Sequence, residues 1–379
     1  MQIATANDLL VIQALGYTAG KREVSYTYLL MDSMNTVIGD VTDSVISCSV
    51  DMNSNADINR SAKFEIADNN IIDFAKDRIQ PWCHFNEAQT AGWPLGVFLL
   101  SSGGKHTSQT GKRLRDADGY DLGLIPTQDV DGGPLGVSGQ RYTVQAGVRY
   151  TMAVRDILNS YATLGIPFNN VIESTKTLPV AKDWEPGTSV SKIIGELLSA
   201  INYFGLYFDE MGVAQCSPYQ PPANRASEYT YSVDRTSILF PEANRQMDLF
   251  EVPNKWIRIV SEPDRPVLVG TYTNTDPASL TSTVARGRTI TDFATGADAP
   301  DQATLDLQVL SLAIQASQIY EHFDFETAIN PLHSFADVYT ITFPDLGLSN
   351  LKYSEQKWSM ELKAGARMKH SARRAVSLS

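Results

Sequence analysis

The segments 147–166, GVRYTMAVRDILNSYATLGI, and 187–206, GTSVSKIIGELLSAINYFGL, write one pattern twice, glycine over glycine, forty residues apart. In the second, Ser189 is placed to cap a helix, and Val190, Ile193, Ile194, Leu197, Leu198 and Ile201 recur at helical spacing. Gly205 stands where a left-handed C-cap belongs. The first copy matches it with Tyr150, Ala153, Val154, Ile157, Leu158 and Tyr161 as the stripe and Gly165 as the stop. Each helix leads into an extended segment, IPFNNVIES or LYFDEMGVAQC, the latter with a hairpin turn at Asp209 to Gly212. Neither apolar stripe is stable alone. Residues 147–220 therefore read as a small α/β domain in which two similar helices cover a sheet.

Outward from this unit, both flanks change period from 3.6 to two. In SVISCSVDMN (44–53), Ile46, Cys48, Val50 and Met52 share one face, and in SAKFEIAD (61–68) Ala62, Phe64 and Ile66 do the same. MDSMNTVIGD (31–40) reads as a hairpin connection, and WPLGVFLLSS, from Trp93, is apolar on both faces and so predicts a strand covered on both sides. Thr5 and Asp8 have capping-box spacing ahead of LLVIQAL. Residues 1–118 thus form a β domain, a strongly bent sheet or barrel. Residues 119–146 are turn-rich and read as a connecting loop. Beyond a Pro-rich joint, SPYQPPANR (217–225), strands return in KWIRIVSE, VLVGTYTN, DVYTITF and KWSMELKAG, with one long helix over 301–320. Residues 226–379 are then a second β domain. The fold class is α+β, mainly β, with two barrel or sandwich domains flanking the α/β unit.

Chemistry is sparse. His84, His106, His322, His333 and His370 show no metal-ligating spacing, and there is no nucleophile elbow or phosphate loop. Asp129, Asp131, Gly132 and Gly133 lack the closing bidentate Glu of a calcium loop. The acid pairs Asp116/Asp118 and Asp209/Glu210 sit in turn-rich segments where carboxylates cap and solvate. Cys48, Cys83 and Cys216 are too scattered for a disulfide framework or zinc site and predict buried free thiols. The Asn59-Arg60-Ser61 sequon has no secretion signal ahead of it. No catalytic, cofactor-binding or metal-binding residue emerges, and no enzyme is expected.

The chain has 379 residues, 43% hydrophobic, with 43 acidic against 31 basic residues and a net charge of -12. Tight nucleic-acid binding is disfavoured, because it depends on Lys and Arg displacing counterions. The longest apolar runs fall far short of the roughly 20 residues of a membrane helix, so no membrane insertion is expected. After Glu361 the sequence carries Lys363, Arg367, Lys369, Arg373 and Arg374 without an acid, which reads as a solvated tail or as an arm for an acidic neighbour.

Three blocks resemble the baseplate hub, or minor tail protein, family of long-tailed bacteriophages. They are YTYLLMDSMNTVIGDVTDSVISCSVDMNSNADINRSAKFEIAD (26–68) with IQPW and WPLGVFLLSS behind it, the twin-helix unit, and PLHSFADVYTITFPDLGLSNLKYSEQKWSMELKAGARMKH (331–370). The resemblance is one of order and spacing and touches most of the chain from 24 to about 371. It implies a structural tail hub in the virion, made in the host cytoplasm. Three chains, each with two tube-like β domains, would form a homotrimeric ring that meets a six-fold tube. The implied partners are the distal tail protein, the tape measure protein and tip or fibre proteins, with genomic DNA passing through the lumen unbound. A tail-associated cell-wall hydrolase and a host-receptor-binding tail protein are the rival readings.

Overall fold

Alternation over 24–120 becomes nine strands in the computed structural model, which describes residues 1–13, 23–108, 111–130, 135–234, 237–263, 265–318 and 321–375. After a helix α1 (Ala6–Gln13) come β1 (Val24–Met31), β2 (Val37–Asp40), β3 (Val45–Asn53), β4 (Arg60–Ala67) and β5 (Arg78–Phe85). Short strands β6 (Trp93–Pro94), β7 (Phe98–Leu100) and β8 (Lys105–Thr107) lead into β9 (Arg113–Tyr120). The predicted capping box is formed at α1, where the Thr5 amide donates to Asp8 Oδ2 at 2.9 Å and the Asp8 amide to Thr5 Oγ1 at 3.1 Å. Cys48, Val50 and Met52 are buried as expected, but Ile46 is exposed. A bulge between Val45 and Ser47 takes Ile46 out of register with the inward-facing set.

In the middle, α2 (Leu124–Gln128) and β10 (Tyr142–Val144) occupy part of the segment expected to be a loop. The twin helices follow as α3 (Tyr150–Ser160) and α4 (Val190–Ala200), with β11 (Asn169–Val171), β12 (Lys182–Trp184), β13 (Tyr207–Phe208) and β14 (Ala214–Cys216) around them. Both predicted stripes are buried in one core. The hairpin at 209–212 closes β13 onto β14 with Gly212 at φ 75°, while β11 joins β14 in parallel. Gly205 is not the left-handed residue after α4. Asn202 takes that role at φ 58°, closer to the helix end. Ser189 does cap α4, accepting from the Lys192 amide at 3.4 Å. Ser189→Ala is expected to cost about 1 kcal/mol, read as a lower urea midpoint with an unchanged slope.

The last region holds β15 (Tyr229–Ser232), β16 (Leu239–Met247), β17 (Lys255–Val260), β18 (Leu268–Thr273), α5 (Thr283–Arg286), β19 (Thr291–Thr295) and α6 (Gln302–Gln318). It ends with β20 (Glu321–Ala328), β21 (Val338–Phe343), β22 (Leu348–Glu361) and β23 (Arg367–Arg374). Strands β18, β17 and β19 form a separate small sheet under α6, with Trp256, Leu305 and Val309 in its core. Gly270 allows that close approach: a Cβ there would stand 2.8 Å from Val309 and 2.9 Å from Leu305.

All the other long strands belong to one sheet. Its path runs β16, β20, β23, β22, β3, β4, β9, β7, β5, β1, β2, with two free ends, so it does not close into a barrel as one of the expected forms required. The chain is mainly β, with large antiparallel sheets. The basic run after Glu361 is neither tail nor arm. It forms β23, an inner strand between β20 and β22, in which Met368, His370 and Ala372 are buried.

Candidate functional site

Two strands from opposite ends of the chain make the joint that organises the molecule. Strand β22 is long, and its N-terminal half pairs with β21 while its C-terminal half pairs antiparallel with β3. Lys357 faces Asn53, Trp358 faces Met52 and Met360 faces Val50 across this seam. The Ser54 amide donates to the Gln356 carbonyl at 2.9 Å and the Leu362 amide to the Cys48 carbonyl at 2.8 Å, extending the pairing at both ends. Trp358 is 1% exposed and donates from Nε1 to the Ser334 carbonyl at 3.2 Å. One apolar core runs through Val50, Met52, Phe64, Trp358, Met360 and Met368, so burial continues across the seam.

Polar side chains tie the sheet to the twin-helix unit. Arg60 on β4, 1% exposed, pairs with Glu210 in the β13–β14 turn. Its amide donates to Asp121 Oδ2 at 2.7 Å. Burial pushes the Asp121 carboxyl up to about 6, against the hydrogen bonds from Arg60 and Gly123 that favour its anion. From β5, Arg78 Nη2 donates to the Gly165 carbonyl at 2.9 Å and Gln80 to the Glu210 carbonyl at 3.1 Å. Gly165, at φ 117°, is therefore a docking point as well as the turn after α3. On the other side, Gln308 of α6 donates to the Ser199, Ala200 and Asp298 carbonyls at 2.9 Å each, and Lys182 meets Asp298 at 2.6 Å.

This geometry accounts for the acid pairs. Asp209 accepts from the Met211 and Val213 amides at 2.9 Å each and organises the turn, and Glu210 is held by Arg60. Asp116 and Asp118 are exposed on the same face of β9. Asp116 stands opposite Glu65 in the β4–β9 register, with His106 at 3.5 Å from Asp116 and 3.4 Å from Glu65, on an open face of the sheet. Asn59 is buried, donating to the Asn53 and Ala56 carbonyls at 3.1 and 2.9 Å, so the sequon is a turn element. Cys48, Cys83 and Cys216 are buried free thiols. Of the calcium-loop residues, Asp129 accepts from the Tyr161 hydroxyl at 2.6 Å, and Asp131, Gly132 and Gly133 lie outside the described residues.

The histidines are not all apart. His84 and His322 sit on β5 and β20, but His333 and His370 converge on buried Glu355, and His106 on β8 meets Glu65 and Asp116 at the surface, each set with its ligand-type atoms within 4.8 Å of one another. The sequence carried no sign of this, because 333, 355 and 370 belong to a loop and two strands whose pairing brings them together.

Both ends of the main sheet's path are open to neighbours. At one, β2 exposes Val37 and Ile38 at 51% and 54%. At the other, β16 is bulged around Pro241 and carries Glu242 and Arg245, devices that discourage unspecific strand addition.

No protein-family model matches the sequence, and no curated protein matches it. Solved structures do share its fold. The tail protein from Neisseria meningitidis MC58 is 10% identical with a TM-score of 0.63, over 92% of this chain and 97% of that one. The 43 kDa tail protein of prophage MuSo2 from Shewanella oneidensis is 9% identical with a TM-score of 0.64, over 93% and 99%. A chain of the lidded Francisella PdpA-VgrG complex is 10% identical with a TM-score of 0.57, over 97% of this chain but only 55% of its own length. The chain has the fold of these tail proteins, in agreement with the resemblance read from its sequence. None of its described helices is long and apolar enough to cross a membrane.

Proposed function

We propose that the chain is a structural tail hub subunit of a phage virion that assembles as a homotrimer. The observation that carries this is the likeness to two tail proteins over more than nine-tenths of both partners' lengths, which includes both β regions and the twin-helix unit between them. In this reading 1–118 and 226–379 supply one tube-like β module each, and three chains present six modules to the tube. The intrachain seam serves as the template for the contact between chains. Each β3–β22 joint would alternate around the ring with a joint made from the free ends at β2 and β16. The upper face would meet the distal tail and tape measure proteins and the lower face the tip or fibres. An acidic channel would repel phosphates and let DNA slide.

The proposed role is one of assembly: Asp209 caps a turn, Glu210 pairs with arginine, and Asp116 meets His106 and Glu65 on an open sheet face and not in a deep cleft. Light scattering on the purified protein is expected to give three times the chain mass. A strictly monomeric mass at every concentration, together with lysis zones on peptidoglycan that Asp116→Asn abolishes, would replace this reading with the hydrolase.

A further inference from the structure

The buried cluster under the seam poses a problem of proton counting. His370, fully buried, places Nε2 at 2.9 Å from the Thr327 hydroxyl and Nδ1 at 2.7 Å from Glu355 Oε2. The Thr327 hydroxyl has one proton and lies 2.8 Å from the Ala328 carbonyl, to which it donates. Nε2 of His370 must then be the donor to Thr327, and the 2.7 Å contact of Nδ1 with the carboxyl oxygen needs one proton, carried by either the imidazole or the acid. Both side chains are 0% exposed, and the neutral pair, with that proton on Glu355, avoids burying two charges away from water. His333 does not supply that proton. Its Nε2 stands 2.5 Å from the Tyr231 hydroxyl, which also accepts from Asn330 at 3.1 Å, and its Nδ1 is nearer Asp337, at 3.2 Å, than Glu355, at 3.8 Å. The Met1 amino group serves Asp337 at 2.9 Å and Glu228 at 3.5 Å. Glu355 is 0% exposed, and among the described residues its Oε1 has no hydrogen-bond partner.

We propose that Glu355 is a neutral carboxylic acid in the folded chain, donating its proton to His370 Nδ1, and that the pair is an alkaline-sensitive latch on the strand joining the two β regions. Glu355 precedes the bulge at Gln356 and the residues that pair with β3, and its amide donates to the Asp337 carbonyl at 2.8 Å. The latch is thus wired to the seam, and it stands apart from any reading of the tail function. Burial pushes Glu355 well above its usual 4.5, helped by the Asp337 carboxylate, while His333, the Tyr339 hydroxyl and the Ser371 amide act in the opposite direction. Burial likewise draws His370 down to about 3.

The pH dependence follows in three windows. Between 4.5 and 6.5 the unfolded pair carries one proton, on the histidine, and the folded pair carries one, on the acid, so the pair leaves stability level. Above 6.5 the unfolded pair carries none and the folded pair still holds one, so the folding equilibrium constant falls by up to about tenfold per pH unit. Below 4.5 the unfolded pair carries two, and stability falls again. Glu228, raised, adds a loss that sets in as pH rises above 4.5, the Met1 amine, raised, adds one above 8, and Asp337, held low, adds to the acid loss. Tyr231 and Tyr339, raised by burial, stay neutral throughout.

Comparison with Glu355→Gln isolates the latch from these neighbours. The glutamine amide can donate to His370 without a titrating proton, so the difference in unfolding free energy between wild type and variant is expected to change with pH above 6.5 by about tenfold in equilibrium constant per unit. Identical slopes overturn the proposal. Should the variant fail to fold, the wild type decides alone: a Glu355 side-chain carbon resonance in its protonated position at pH 7 supports the latch. An ionised carboxylate there, or a stoichiometric metal ion in the purified protein, overturns it.

Discussion

Trp358→Ala is expected to destabilise the chain by about 3–5 kcal/mol, the usual range for emptying a buried aromatic site. The side chain is 1% exposed, lies opposite Met52 in the seam and anchors the 331–337 loop through its bond to Ser334. Removing it leaves a cavity bounded by both β regions, and the Ser334 carbonyl loses its partner. Trp358→Phe keeps most of the volume and should cost less than half as much, whereas Trp82→Ala, at a half-buried site, should cost less than Trp358→Ala. Urea titrations of the three variants measure this. A Trp358→Ala cost below 1 kcal/mol would show that the two β regions do not depend on each other.

A second large effect is expected at Arg60. Its guanidinium is buried under the β13–β14 turn with Glu210, and among the described residues Nε and Nη1 find no hydrogen-bond partner, so the ion pair is the main compensation for its burial. Glu210→Ala leaves an unpaired buried cation and is expected to cost about 3–5 kcal/mol, while replacing both by methionine should recover most of it. The double-mutant coupling is the readout. Coupling near zero would mean that the α/β unit is held on the sheet by packing and by Arg78 and Gln80 alone.

Much of this architecture was legible because burial imposes a period. Cys48, Val50, Met52, Phe64 and Ile66 alternate as buried strands must, and the two helical stripes are as read. The exception, Ile46, falls at a bulge, which adds a residue without any composition signal. The C-terminal strand departs from its expected form for a different reason. Its charges at 367, 369, 373 and 374 suggested a solvated end, yet Met368, His370 and Ala372 already alternated with them and were the better guide. The seam was illegible, because pairing Asn53 with Lys357 is a long-range choice that local patterning does not encode. The same holds for the site: Glu355, His333 and His370 acquire their relation only when β22 and β23 are in place.

The position of β23 bears on biosynthesis. Strand β3 lacks its outer neighbour until residues 357–361 have been made, and β22 in turn awaits 367–374 on its other side. A nascent chain emerging at about 5–20 residues per second would therefore display an open, apolar-faced ribbon for most of its translation. Holdase protection in that interval should govern its maturation, and chains cut before residue 367 are expected to be insoluble.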